Sequence, residues 1–133
     1  MPTLAHLNRD AERVFKRILS LIPSGHNAAK LDNAPGAYMA LCVEFIDDSR
    51  RFVSFAHYGK QHGDAMRDPE VLFWLDNEEK VVPFAYRNDF IGMDREYVTF
   101  RDGRPDRFVP RCQRDLKNVC NDWMETLREQ QGI

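Results

Sequence analysis

The stretch 38–58, YMALCVEFIDDSRRFVSFAHY, decides the fold class. Tyr38–Ile46 is rich in apolar and β-branched or aromatic residues and reads as a strand. Asp47, Asp48, Ser49 and Arg50 form a polar turn, and Arg51–Tyr58 returns as a second strand, so the two make a hairpin. Moving toward the C-terminus, residues 59–70 (GKQHGDAMRDPE) read as a polar, turn-rich connection. Val71–Leu75 is a third strand, residues 76–80 a tight polar link and Val81–Tyr86 a fourth strand. Pro83 cannot donate to a ladder, which predicts an edge or a bulge at that point. Arg95–Phe100 alternates polar and apolar residues and stops at Asp102-Gly103, giving a fifth strand.

Upstream of the hairpin the period is helical. Leu4, Leu7, Ala11, Val14, Phe15, Ile18, Leu21 and Ile22 fall on one face of a helix over residues 4–22, with Asn8 on the solvent side. Pro23-Ser24-Gly25 ends it, and residues 24–37 read as a loop. At the other end, Pro110 suits a first helical turn, and Cys112, Leu116, Val119, Cys120, Trp123 and Leu127 make a second helical stripe. The expected architecture is α+β: an antiparallel meander of about five strands flanked by an N-terminal and a C-terminal helix, both on one face, in a single domain over 1–133.

Composition narrows the function classes. The 133 residues are 43% hydrophobic and 11% aromatic with a net charge of −2, which is unlike a disordered chain. No apolar run reaches the roughly 20 residues of a membrane span, nothing near Met1 reads as a signal peptide, and no membrane partner is expected. The near-neutral total also excludes a wholly basic nucleic-acid binder. Cys42, Cys112 and Cys120 form no CxxC pair; they read as small apolar residues in a reducing compartment, so a cytoplasmic location is expected.

The densest chemistry lies at 56–70, AHYGKQHGDAMRDPE. His57, Asp64, Asp68 and Glu70 offer nitrogen and oxygen ligands for a divalent metal, although no spacing matches HExxH or an EF-hand. No cofactor is predicted beyond that open divalent site. His57 held by a carboxylate is a candidate general base. The bland alternative is a structural loop, with Asp68-Pro69 and Gly63-Asp64 as turn formers. A second polar patch, Arg87, Asn88 and Asp89, follows the fourth strand. In a meander the two connections leave from the same end of the sheet, so these residues are expected near His57, Tyr58, Gln61, Asp64, Asp68 and Glu70. Arg87 is expected to pair with a carboxylate there.

The run AHYxxQxGDxMxDPExxFW, followed by PxxYRNDFxG, resembles an uncharacterised domain-of-unknown-function family associated with phages, plasmids and integrative conjugative elements. The resemblance rests on His57, Tyr58, Gln61, Gly63, Asp64, Met66, Asp68, Pro69, Glu70, Phe73, Tyr86, Arg87, Asn88 and Asp89. It implies a small accessory protein of a mobile genetic element and supplies no activity.

A basic segment follows. Arg104, Arg107, Arg111, Arg114 and Lys117 recur every three or four residues, and Arg107, Arg111 and Arg114 are expected to share a face across the helix start. Such a face suits a phosphate backbone or an acidic protein, or else a solvated surface with Asp–Arg pairs. The first functional expectation is therefore an accessory protein that works by protein–protein binding, with modulation of host defence as one version. The alternatives are a metal-dependent phosphodiester hydrolase built on residues 57–70 and a nucleic-acid-binding module built on 101–117. Because two helices cover only one sheet face, a homodimer is also expected as an option.

Overall fold

In the computed structural model, which describes residues 3–133, the chain begins with helix α1 (Arg9–Leu19). Six strands then lie side by side in chain order, each antiparallel to the next: β1 (Ala28–Leu31), β2 (Leu41–Phe45), β3 (Phe52–Gln61), β4 (Asp64–Leu75), β5 (Val81–Asn88) and β6 (Met93–Glu96). A 3-10 turn (Asp89–Ile91) links β5 to β6. Strands β7 (Val98–Arg101) and β8 (Arg104–Phe108) form a separate two-stranded sheet, and helix α2 (Pro110–Gln131) closes the chain. The α+β meander with two helices is as expected, with six main strands in place of about five.

Strand parity splits the apolar interior in two. Val53, Phe55, Val71 and Phe73 face both helices and pack with Phe15, Ile18, Leu116, Cys120 and Leu127. Phe15, Phe55 and Phe73 are fully buried there, with ring centroids 4.6, 4.9 and 5.3 Å apart. Such pairs add about 0.5–1.5 kcal/mol each beyond their burial. On the opposite face Leu72, Phe84, Ala85 and Val98 form a second cluster with Phe52, Trp74, Phe100 and Phe108. The β7–β8 hairpin is thus the cover on the second face.

Bulges adjust that parity. Between β4 and β5 the register runs Leu72↔Ala85 then Phe73↔Pro83, so Phe84 is the extra residue beside Pro83. Two consecutive side chains, Phe84 and Ala85, therefore join the second cluster, and Pro83 sits at a bulge as its missing N–H requires. A second register shift, between Ala56 and Tyr58, sets His57 opposite Asp68 and Pro69.

Four sequence assignments change. Residues 59–70 are not a loop: Tyr58↔Arg67, Gly59↔Met66, Lys60↔Ala65 and Gln61↔Asp64 pair as the far half of a long hairpin. Its turn is His62-Gly63, with φ of 53° and 84°, the left-handed pair of a type I′ turn. The side chains of that half of the hairpin are exposed or half-buried and join neither core cluster, so no apolar alternation marks it. Within the expected loop 24–37, Ala28–Leu31 pairs with β2 and buries only Leu31, too little to leave a period. The expected fifth strand is cut at Tyr97, whose N–H donates to Phe84 O at 2.6 Å. Its second half pairs with β8, which Pro105 and three charged residues had concealed. Finally, α1 begins at Arg9, because the Asn8 side chain accepts from Ala11 N and caps the helix. Leu4 instead packs in the second cluster, and Leu7 N–H donates to Val81 O at 2.9 Å.

Candidate functional site

The two polar segments meet, on the sheet face opposite the helices. Glu70 is paired in register with Arg87, and Arg87 with Asp94, so three charged side chains form a row across β4, β5 and β6. Arg87 donates to Glu70 Oε1 at 3.2 Å and to Asp94 Oδ1 at 3.1 Å. Ser54 Oγ donates to the other Glu70 oxygen at 2.7 Å. The expectation that Arg87 pairs with a carboxylate in this cluster is met twice.

Arg67 supplies the second half of the network. Its Nη2 and Nε donate to the two oxygens of Asp89 at 2.8 and 3.0 Å, and its backbone N–H donates to Asp89 Oδ2 at 2.8 Å. These bonds, the guanidinium first, hold the Asp89 carboxyl down to about 2. Asn88 Nδ2 donates to Asp68 at 3.2 Å while its Oδ1 accepts from Phe90 N and caps the 3-10 turn. The Phe90 ring lies over Gly59, where a Cβ would sit 2.9 Å from two ring carbons. Tyr58 is half exposed beside this network, and partial burial followed by the nearby Glu70 pushes its hydroxyl up.

The other expected members are elsewhere. His57 turns to the helix-covered face, where it is buried, lies edge-on to Trp123 with centroids 5.7 Å apart, and places Nδ1 3.0 Å from Ala40 O. It directly follows Ala56, the register partner of Glu70, and a pleat sends neighbouring side chains to opposite faces. Gln61 and Asp64 are exposed at the hairpin tip. So His57, Asp64, Asp68 and Glu70 do not converge as metal ligands, and among the described residues no three His, Cys, Asp or Glu side chains do. The general-base arrangement is not formed either: among the described residues no carboxylate is hydrogen-bonded to His57.

The basic segment is divided by the fold. Arg104 and Arg107 lie on β8, whereas Arg111, Arg114 and Lys117 lie on α2, so Arg107 does not share a helix face with Arg111 and Arg114. A helix cannot extend across Val109, which is extended as the residue before Pro110. Among the described residues none of the five forms an ion pair within 4.0 Å, against the expected Asp–Arg pairs.

Sequence reading missed Arg67, the hub of the network, because a residue taken as part of a loop has no predicted facing. It also missed an apolar groove of about 230 Å³ between β6 and α2, lined by Ile91, Met93, Tyr97, Leu116, Val119 and Asp115. Ile91 and Val119 are 68% and 53% exposed there. Ile91 carried a weak signal, as one of two adjacent apolar residues, with Phe90, in the short connection between β5 and β6.

No helix among the described residues is long and apolar enough to cross a membrane. Comparison with known proteins finds no match among curated proteins and none among solved structures. Residues 13–133 match a family described as a domain of unknown function (DUF6908), which reaches well beyond the 38–100 span of the sequence resemblance. With nearly the whole chain matched, the protein belongs to the DUF6908 family.

Proposed function

We propose that this chain is a small cytoplasmic accessory protein of a mobile genetic element that acts by binding another protein. The carrying observation is where polarity is used up and where apolar surface is left. Both guanidiniums, Arg67 and Arg87, are taken up by Asp89, Glu70 and Asp94, so this cluster serves as a brace across the sheet. Ile91 and Val119 instead leave apolar surface exposed beside β6, the last strand of the sheet. Exposed apolar side chains at a sheet edge are costly to keep unless something covers them.

The test is affinity purification of the tagged chain from its native host, alongside an Ile91→Asp, Val119→Asp double variant. A partner at near-stoichiometric amount that the double variant loses is the expected result. Absence of any stoichiometric partner overturns the proposal.

A second reading rests on the five basic side chains that, among the described residues, form no ion pair. Arg104, Arg107, Arg111, Arg114 and Lys117 would then track a phosphate backbone, and affinity for duplex DNA would fall steeply with added salt. A flat salt response removes this reading.

A further inference from the structure

We propose that the groove between β6 and α2 receives an extended segment of the partner protein, which adds to the free edge of β6 as a seventh strand and brings a basic side chain to Asp115. The inference rests on the protein-binding reading and adds the mode of binding and the chemistry of the bound segment.

Three observations carry it. First, β6 is an edge: Met93–Glu96 pairs with β5 on one side, and among the described residues no strand pairs with the other. Its outward N–H and C=O groups are a template for a further strand. Second, the groove lies on the side that alternate residues of such a strand would face. Register pairs Arg95 with Tyr86, which packs in the helix-side cluster, so Met93 and Arg95 face α2 while Asp94 faces away to Arg87. Every second side chain of an added strand would then lie over Ile91, Leu116 and Val119. Third, Asp115 is the one charged residue lining the groove. It is exposed and, among the described residues, in no ion pair, even though Arg111 lies one turn before it. A lysine or arginine on the incoming segment is its complement.

A second copy of this chain is a poor occupant. Antiparallel pairing of β6 with β6 about a two-fold axis keeps each residue on its own face, so only residues of equal parity can be opposite. Every register that pairs more than one β6 residue then opposes like charges. One sets Asp94 against Asp94, and the other sets Arg95 against Arg95 and Asp94 against Glu96. Like charges directly opposite are destabilising, so the edge discourages its own copy while staying open to a different strand.

The probe is a pair of labelled nonapeptides, TVTKTVTKT and TVTETVTET, whose valines and charged residues share one strand face, titrated into the full chain and read by fluorescence anisotropy and amide hydrogen exchange. The lysine peptide should saturate, bind about two- to fivefold tighter than the glutamate peptide, and slow exchange at Asp94–Glu96. Val119→Asp should weaken it by about tenfold or more, Asp115→Lys should reverse the charge preference, and N-methylation of alternate peptide amides should abolish binding. Both substituted positions are exposed, so folding is preserved. No saturable binding, equal binding to the Val119→Asp variant, or unchanged exchange at 94–96 overturns the proposal. Sedimentation that finds a dimer dissolved by Val119→Asp would give the groove to a second copy and overturn it too. The two readings fail separately. If a purified host partner binds the Val119→Asp chain unchanged, the groove is wrong and protein binding stands. If the lysine peptide behaves as expected and no host partner is recovered, the groove stands and the accessory role falls.

Discussion

Arg67 and Asp89, 22 residues apart in the chain, meet through the guanidinium and the backbone N–H of Arg67, with three contacts between 2.8 and 3.0 Å. One residue thereby ties the β3–β4 hairpin to the turn that follows β5. The bidentate geometry is the strong form of the carboxylate–arginine contact, because both N–H donors point along fixed directions to both oxygens.

This pair makes a pH prediction with a definite sign. The Asp89 carboxyl is lowered from its ordinary 3.8 to about 2 in the folded chain. Its contribution to stability is therefore present above about pH 4 and lost as pH falls through about 2. Thermal unfolding of the native chain and an Asp89→Asn variant should show a Tm gap at pH 7 that persists to about pH 4 and closes toward pH 2. A gap that does not change with pH would show that the charge of Asp89 contributes nothing.

Gln113 is a second long-range tie. It is fully buried in α2, accepts from Ala5 N at 2.7 Å, and donates to Ala5 O at 2.7 Å and Pro83 O at 3.2 Å. Replacing it with leucine keeps the volume and strands three backbone groups. Gln113→Leu should cost about 2–4 kcal/mol in urea denaturation, since each unsatisfied buried group costs about 1–3 kcal/mol and the N-terminal segment can partly rehydrate. A change under about 0.5 kcal/mol would mean that the segment carrying Ala5 is held by Leu4 and Leu7 alone.

The cysteines give a chemical check on the packing. All three are free, Cys42 and Cys112 half-buried and Cys120 fully buried, and burial pushes the Cys120 thiol far up. A thiol kept protonated and shielded is inert to a disulfide reagent. With a chromogenic disulfide at pH 8, Cys120 should react only at the rate of global unfolding, and a Cys120→Ala variant should lose that slow phase alone. Rapid reaction of Cys120 in the native chain would mean that α2 lifts from the sheet without unfolding.

Much of the architecture is legible in the residues. The 3.6 and 2.0 periods of Phe15–Ile18, Val53–Phe55 and Leu116–Cys120 exist because one face of each element is buried, and burial is what writes a period into sequence. Pro83 announced its bulge for an equally local reason, the N–H it lacks. The two strands that went unread, β1 and β8, bury one residue and none. Their strand geometry comes from neighbours that accept and donate their backbone hydrogen bonds, not from their own side chains.

The polar cluster divides the same way. That residues 57–70 and 87–89 meet followed from meander topology, and the Arg87–carboxylate pairing with it. Which of them meet did not follow, because a one-residue register shift beside His57 decides which face each side chain takes. Sequence alone therefore determined the α+β meander, the two helices and a charged seam after β3, all set by local periodicity and composition. Only the tertiary structure decided that His57 belongs to the core, that Arg67 is the hub of the seam, and that Ile91 and Val119 flank an open edge. Facing and proximity between residues far apart in the chain are properties of register and packing, and no single segment carries them.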